Sequence, residues 1–579
     1  MIKRPIPCAA AALLFSVVAA FLSLAELGLQ AQIPVAPDRL LNAPKEPQNW
    51  LLYGGDYSSN RYSGLTQITP ANVKNLNMTW TYQSPTSGSW QATPLVADGI
   101  MYLTQRPNDV VALDAVTGRV FWMYRYNNAS EIGVCCGANN RGLAILGDTL
   151  FMGTLDAHLV AIDTKSGMPI WKTKVADSKL GYSLTVAPLA IKDRVIVGLG
   201  GGEFGIRGAI AAFDAKTGKE LWRFHTIPGP GEPGHETWEP CPPNPATYCD
   251  SEAWTHGGAS VWVTGSYDPA LNLTYWGLGN AGPDYNGDQR PGDNLYTCSV
   301  VALDLDTGKL KWHYQFTPHD VYDYDSVQVP VLADITFQGA PLKAMLWANR
   351  NGNFYVLNRE TGKFMLGKPF VKVNWMSGFD PNGKPIQTVQ PNGMPTYPAV
   401  QGGSNWYSPS YSPRTKLMYV STWQDQAMLY GGIAIKYEPG RGFGGGNRRP
   451  FVPTPGAPSR GIPDAPNVPD LRRGPINNWT DAAGHGAVLA IDPNTGEPKW
   501  RFEMFDVTDT GIVTTAADLL FTGGREGYFQ ALDARTGTLL WRASLGAQMI
   551  NNPITYAVNG KQYVAAMAGL TLFTFALPN

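Results

Sequence analysis

Ala112-Leu113-Asp114-Ala115-Val116-Thr117-Gly118-Arg119-Val120-Phe121-Trp122 reads as a strand, a tight turn and the start of a second strand, and it recurs. The pattern is a small or aliphatic residue, an aliphatic one, Asp, two variable residues, Thr-Gly, three variable residues and Trp. Further copies end at Trp171, Trp222, Trp312, Trp500 and Trp541, with Ser166 replacing the Thr in the first of these. A degenerate copy, Val356 to Gly362, has Leu366 in the Trp place, and a weaker unit around Trp80 makes eight. Each copy predicts a hairpin turning through Thr-Gly. Segments with period-two character, such as Arg194 to Gly198 and Leu519 to Gly523, fill the gaps between copies. All-β units roughly 40–55 residues apart, with one Trp each, predict an all-β, eight-bladed β-propeller. The Trp then packs between neighbouring blades, a structural role that needs no cofactor. The wider gaps, 222 to 312 and 366 to 500, hold an unmarked blade or long excursions.

The repeats make residues 32–579 one radial domain, although length alone suggests several. From about 438 to 475 the chain is rich in Gly, Pro and Arg and is read as an excursion unable to form regular strands. A surface excursion is the simplest reading; a lid over the propeller funnel or a docking surface for an electron-transfer partner are the others.

Net charge is −1 with only 16% charged residues, and no Lys/Arg cluster is large enough for nucleic acid. Residues 1–31 read as a signal peptide that is removed: Lys3 and Arg4, an apolar stretch from Ala9 to Leu24, and a small residue near Ala31. The apolar stretch is short for an anchor and no second one follows, which predicts export to the periplasm with no membrane span in the mature chain. Of the six cysteines, Cys8 leaves with the signal. Cys241 and Cys249, in a Pro-rich loop, are expected to form an ordinary disulfide. Cys298 is expected to be a buried thiol. Cys135 and Cys136 are adjacent, which makes a bond between them awkward. A trans peptide spaces Cα atoms about 3.8 Å apart, whereas a disulfide prefers roughly 4.4–6.8 Å. The pair is either a strained ring kept for a site or two cysteines bonded elsewhere or free.

Three segments offer polar residues to a funnel. Gly200 to Gly208 ends a strand with three glycines followed by Glu203, Gly-Leu-Gly precedes Asn280, and Thr317 to Asp325 is acidic. If Tyr322 to Asp325 is extended, Asp323 and Asp325 share a face. Two such carboxylates repel unless a cation or proton lies between them; a solvated acidic strand end is the plainer reading.

Several motifs in order make the resemblance specific: Gly-Gly-Asp-Tyr-Ser-Ser-Asn-Arg-Tyr-Ser from Gly54, Cys-Cys with Asn-Arg-Gly, and Gly-Thr-Leu-Asp-Ala-His-Leu from Gly153. Thr-Ile-Pro-Gly-Pro-Gly-Glu-Pro-Gly from Thr226, Arg-Pro-Gly-Asp-Asn from Arg290 and Ala-Asn-Arg-Asn-Gly from Ala348 extend it over nearly the whole mature chain. In these the chain resembles the pyrroloquinoline quinone (PQQ)-dependent alcohol dehydrogenases of the methanol/ethanol dehydrogenase family. The resemblance implies that Cys135–Cys136 is a vicinal disulfide against one face of the quinone and that Trp262 stacks on the other. It implies that Arg141, Thr185, the backbone around Gly201 and Gly202, Arg350 and Asn405 bind the cofactor, whose three carboxylates call for Arg. It assigns Glu203 and Asn280 as metal ligands and Asp323 as the catalytic base close to the metal. Asp325 resembles the acid that marks lanthanide-using members, so a lanthanide(III) ion is favoured and Ca2+ is the alternative. The charge logic agrees, since calcium is satisfied by fewer charges.

The chain also departs from that family. Gln91 stands where many relatives have Glu, and Asp509 where methanol-oxidising relatives have Trp. The loop after Asn280, Ala-Gly-Pro-Asp-Tyr-Asn-Gly, lacks the Trp that closes the methanol pocket. A roomier pocket for a small alcohol, with methanol disfavoured, is the expectation. The chain has no Cys-x-x-Cys-His haem motif, so electrons are expected to pass to a soluble cytochrome c; a homodimer is compatible with the sequence. The rival readings are a non-catalytic periplasmic propeller scaffold and a calcium-dependent quinoprotein acting on other alcohols or polyols.

Overall fold

The Asp and Gly of each repeat close the turn that the sequence predicts. Asp114 accepts the amides of Val116 and Thr117 at 2.8 and 3.2 Å on one carboxylate oxygen, and the amide of Gly118, at φ 73°, donates to the Asp114 carbonyl. A left-handed residue is needed there, which is why the position is Gly. In the computed structural model, residues 33–578 are described except 87, 89, 128–132, 389, 391–393, 452–484 and 505. The expected signal peptide and most of the 438–475 excursion lie outside the described residues.

Among the described residues, eight sheets form the blades of a propeller, each of four antiparallel strands, with Tyr62–Ser63 adding a fifth, parallel strand to one of them. Blade 1 is Leu95–Ala97, Ile100–Gln105, Asp109–Asp114 and Val120–Tyr124; its first strand is buried throughout, while its last begins exposed and is otherwise half-buried. Blades 2 to 7 begin at Ala144–Leu146, Leu189–Ile191, Ser266–Asp268, Val331–Phe337, Ser410–Ser412 and Val513–Thr515. Blade 8 takes Ile554–Val558, Lys561–Ala568 and Thr571–Ala576 from the end of the chain and Asn77–Gln83 from near its beginning, with Trp80 opposite Thr574. The weak unit around Trp80 is thus the strand that closes the ring. Among the described residues, the wide gaps hold excursions and no extra blade.

The Trp does pack between blades, in a specific way. The Trp122 indole donates to the Thr164 carbonyl at 2.9 Å, one residue past the Asp of blade 2. Trp80, Trp171, Trp222 and Trp500 make the same bond to Ala115, Ala215, Leu305 and Ala534. The Gly of the next repeat lies against the indole: a Cβ on Gly167 would be 2.5 Å from the Trp122 ring. Where the copy is degenerate, Gly496 packs on Leu366.

The segment 53–63 spans the axis at one end of the funnel. Tyr57 donates to the Ala190 carbonyl of blade 3, the carbonyls of Tyr57, Ser58 and Asn60 accept the amides of Tyr267, Leu332 and Tyr411 from blades 4 to 6, and Tyr62 and Ser63 pair with Thr514 and Thr515 of blade 7. Arg61, fully buried, donates to the carbonyls of Tyr53, Ile512 and Pro553.

One expectation is corrected. Gly446–Phe451, inside the stretch read as unable to form strands, pairs antiparallel with Ala427–Gly432. The segment Gly-Asn-Arg-Arg-Pro-Phe lacks the alternating apolar pattern of a strand, yet its backbone groups pair with those of Ala427–Gly432. Cys241–Cys249 forms a disulfide with 5.8 Å between Cα atoms, and Cys298 is a buried thiol, both as expected. No helix among the described residues is long and apolar enough to cross a membrane.

Candidate active site

The other end of the funnel opens into a cavity of about 320 Å³. Each blade supplies it with a residue lying three to six positions ahead of its first strand: Gln91, Arg141, Thr185, Trp262, Asp325, Asn405, Asp509 and Ile550. Radial symmetry therefore aims eight non-repeated side chains at one axis. Connections at the same end add Cys135, Cys136, Gly201, Glu203, Asp284, Asp323, Arg350, Gln401 and Arg525. Every sequence-selected residue lines this cavity except Gly202 and Asn280, which lie just behind it. A Cβ on Gly202 would approach Asn280 Oδ1 to 3.9 Å, and the Asn280 amide donates to Asp325 Oδ1 at 2.8 Å. Gly201, at φ 116°, must be glycine, because a Cβ there would be 2.1 Å from the Gly181 carbonyl.

Cys135 and Cys136 are bonded to each other, with Cα atoms 3.8 Å apart and Cys136 at φ 62°. Their sulfurs lie within 4.8 Å of the Glu203 carboxylate. As a disulfide they offer no thiolate to a metal; they present a flat sulfur wall. The loop is pinned by Asn139, whose amide nitrogen donates to the Cys136 carbonyl at 2.9 Å.

Four carboxylates converge: Glu203, Asp284, Asp323 and Asp325. Arg350 is the guanidinium among them, 3.2 Å from Asp323 and 2.5 Å from Asp325, and it also donates to the Val400 carbonyl. Burial lowers the Arg350 pKa, but Asp323 and Asp325 raise it further, so it stays charged. Burial pushes Glu203 up to about 7, with Asp325 and Asp323 adding to the rise. Burial, then Asp323 and Glu203, hold Asp284 well above the usual carboxylate range. Asp323, at φ 63°, accepts the Tyr285 hydroxyl at 3.2 Å. Excess carboxylate of this kind is the environment of a bound cation.

Arg141 poses the opposite problem. It is buried, sandwiched between Trp262 (4.6 Å) and Trp406 (5.4 Å), and burial lowers its pKa to about 10. Its Nε has no acceptor, and no carboxylate among the described residues is within ion-pair distance. Gln91 Oε1 likewise lacks a donor. A buried guanidinium without an anion, beside an indole and a sulfur wall, fits a planar polyanion.

Sequence reasoning missed Asp284 and Arg525. Asp284 lies in the loop after Asn280, where only the missing Trp was noticed. Arg525 follows strand Leu519–Gly523 as Arg350 follows Ala340–Ala348, two residues on in each case, so aligning blades 5 and 7 would have found it. Arg525 pairs with Asp509 at 2.6 Å and lies over the Trp423 ring. The Arg290 motif is structural: its guanidinium donates to the Pro283 carbonyl at 3.0 Å and to the Asp320 carbonyl, tying the loop of Asp284 to that of Asp323.

Residues 50–377 and 503–564 match the family described as PQQ, glucose/ethanol/alcohol dehydrogenase, beta-propeller domain. The quinoprotein alcohol dehydrogenase PedH of Pseudomonas putida is 35% identical over 93% of this chain and 89% of its own. The lanthanide-dependent methanol dehydrogenase of Methylacidiphilum fumariolicum is 34% identical over 94% of this chain and 89% of its own. A solved europium-containing methanol dehydrogenase superposes with a TM-score of 0.82 at 32% identity, covering 93% of this chain and all of that one.

Proposed function

Because the chain belongs to the PQQ family of glucose, ethanol and alcohol dehydrogenases, we propose that it oxidises primary alcohols, and aldehydes where the pocket admits them, with PQQ in the axial cavity. The observation that carries this reading is a buried, anion-less Arg141 in the same cavity as a carboxylate cluster, a vicinal disulfide and Trp262. Arg141, Thr185, the backbone at Gly201 and Gly202, Arg350 and Asn405 would hold the cofactor; Cys135–Cys136 and Trp262 would flank it. Glu203, Asn280, Asp323 and Asp325 would hold the metal ion. When bound, PQQ supplies a two-electron acceptor and the metal a Lewis acid.

The chain's own part is proton removal and positioning. Asp323 takes the hydroxyl proton of the alcohol as general base. Arg350 and the Tyr285 hydroxyl fix its carboxylate. Asp509 and Arg525, a polar pair in place of an indole, leave room for alcohols larger than methanol. Three carboxylates around one ion favour a lanthanide(III) over Ca2+, and the likeness to a lanthanide-dependent relative supports that preference. We place the enzyme in the periplasm with a soluble cytochrome c as acceptor, consistent with the signal-like residues 1–31.

The test is reconstitution with PQQ and either La3+ or Ca2+, followed by a primary-alcohol panel with a dye acceptor. Turnover with La3+ that is lost in Asp323→Asn, with PQQ still bound by absorbance, is expected. Unchanged turnover in Asp323→Asn would remove the base assignment, and full activity with Ca2+ but none with La3+ would overturn the metal preference.

A further inference from the structure

Asp284 is buried, lines the cavity and has no assigned role. Its Oδ1 accepts from Asn280 Nδ2 at 3.0 Å, and the same nitrogen donates to the Ala281 carbonyl at 3.2 Å. The Ala281 carbonyl can only accept, so this network fixes which end of the Asn280 amide is nitrogen. Oδ1 of Asn280 is left on the side of Gly202, the residue before Glu203.

The loop carrying Asp284 is held from three directions. Arg290 binds the Pro283 carbonyl. The Tyr285 amide donates to the Gly444 carbonyl, and the Tyr285 hydroxyl reaches Asp323. Asp284 therefore keeps its place without a metal, and once ionised beside a bound cation it adds a negative charge to those of Glu203, Asp323 and Asp325.

From this geometry, and resting on the metal site proposed above, we propose that Asp284 is a positioning residue of the metal centre: it orients the Asn280 carbonyl oxygen toward the ion and supplies a fourth negative charge that favours a trivalent over a divalent cation. Two substitutions separate these effects. Asp284→Asn keeps an oxygen to accept from Asn280 but removes the charge; Asp284→Leu removes both. Long-range Coulomb attraction scales with ion charge, so losing one anion costs a trivalent ion more than a divalent one.

The experiment measures metal affinity of the full-length protein carrying PQQ by chelator competition, with Eu3+ and Ca2+ as probes, and Eu3+ luminescence as an activity-independent signal. Asp284→Asn is expected to weaken Ca2+ about tenfold and Eu3+ about thirtyfold, because the Coulomb loss scales with ion charge, so that the Eu3+ to Ca2+ affinity ratio falls about threefold. Asp284→Leu is expected to weaken both ions and to alter the Eu3+ luminescence lifetime. A ratio within twofold of the native value in Asp284→Asn overturns the charge role, and native-like Ca2+ binding in Asp284→Leu overturns the orienting role. Glu203→Gln is the control for the site itself. If it too leaves Eu3+ binding unchanged, the metal-site reading fails, which is a different result from a native-like Asp284→Asn beside a defective Glu203→Gln.

Discussion

Arg141 has a buried guanidinium held between two indoles with no acid at hand, a state that costs free energy until an anion arrives. Arg141→Met should therefore make the cofactor-free protein more stable by about 1 kcal/mol, part of the gain being offset by the lost stacking on Trp262 and Trp406. The same substitution should leave a protein that fails to retain PQQ. Urea midpoints of the cofactor-free forms and quinone absorbance after gel filtration check the two halves. Equal stability of the two cofactor-free proteins would mean that the unpaired charge is not what makes the site ready. Which residues face this cavity was legible in sequence only where a motif marked them. Glu203 and Asp323 stood in recognisable company, whereas Arg525 is signalled only by aligning blades 5 and 7, and Asp284 belongs to no motif although its partner Asn280 is four residues away.

At the scale of elements, the repeat is both a turn and a clasp, since the Gly of one blade is the seat of the Trp of the previous one. Trp122→Ala should cost about 3 kcal/mol, the range for deleting a large, largely packed aromatic. Gly167→Ala should cost about 1–2 kcal/mol, through its φ of 70° and its collision with the Trp122 ring. Because the collision needs the ring, Gly167→Ala should cost measurably less in the Trp122→Ala background; a double-mutant cycle by chemical denaturation measures this. The axial segment allows a pH prediction. Burial raises Asp56 to about 6, against hydrogen bonds from Asn60, Ser58 and Ser59 that lower it. The folded state thus binds its proton more tightly than the unfolded one, so Asp56 favours folding less as pH rises from about 4 through 6. Asp56→Asn should gain on the native protein across that interval by on the order of 2 kcal/mol, less if water reaches the carboxylate. Thermal scans at pH 4.5 and 7 test the sign. The eight blades were readable because their clasp repeats in sequence; the strand Gly446–Phe451 was not, since backbone pairing alone leaves no pattern of side chains.

The described residues from Val35 onward form a ring shut by an early strand, Asn77–Gln83, beside a late one, Thr571–Ala576. Arg61 ties the axial segment to blades 7 and 8 through carbonyls of Ile512 and Pro553. Arg61→Met should strand buried carbonyls and lower stability by at least about 3 kcal/mol, with a shallower urea transition if blades 7 and 8 then loosen separately. A native slope and midpoint would show the contact to be dispensable. The ring was legible because Trp80 continues the repeat, but the segment beneath it was known only as a motif, its contacts being made through carbonyls that any residue carries. The strand Asn77–Gln83, seated beside Thr571–Ala576, also sets an order of events in the birth of the enzyme. A chain still being synthesised holds seven blades and an early strand with nothing to join, and Ile550 has yet to reach the cavity wall. On the proposed function, cofactor and ion would load only after Thr571–Ala576 has closed the ring on Asn77–Gln83.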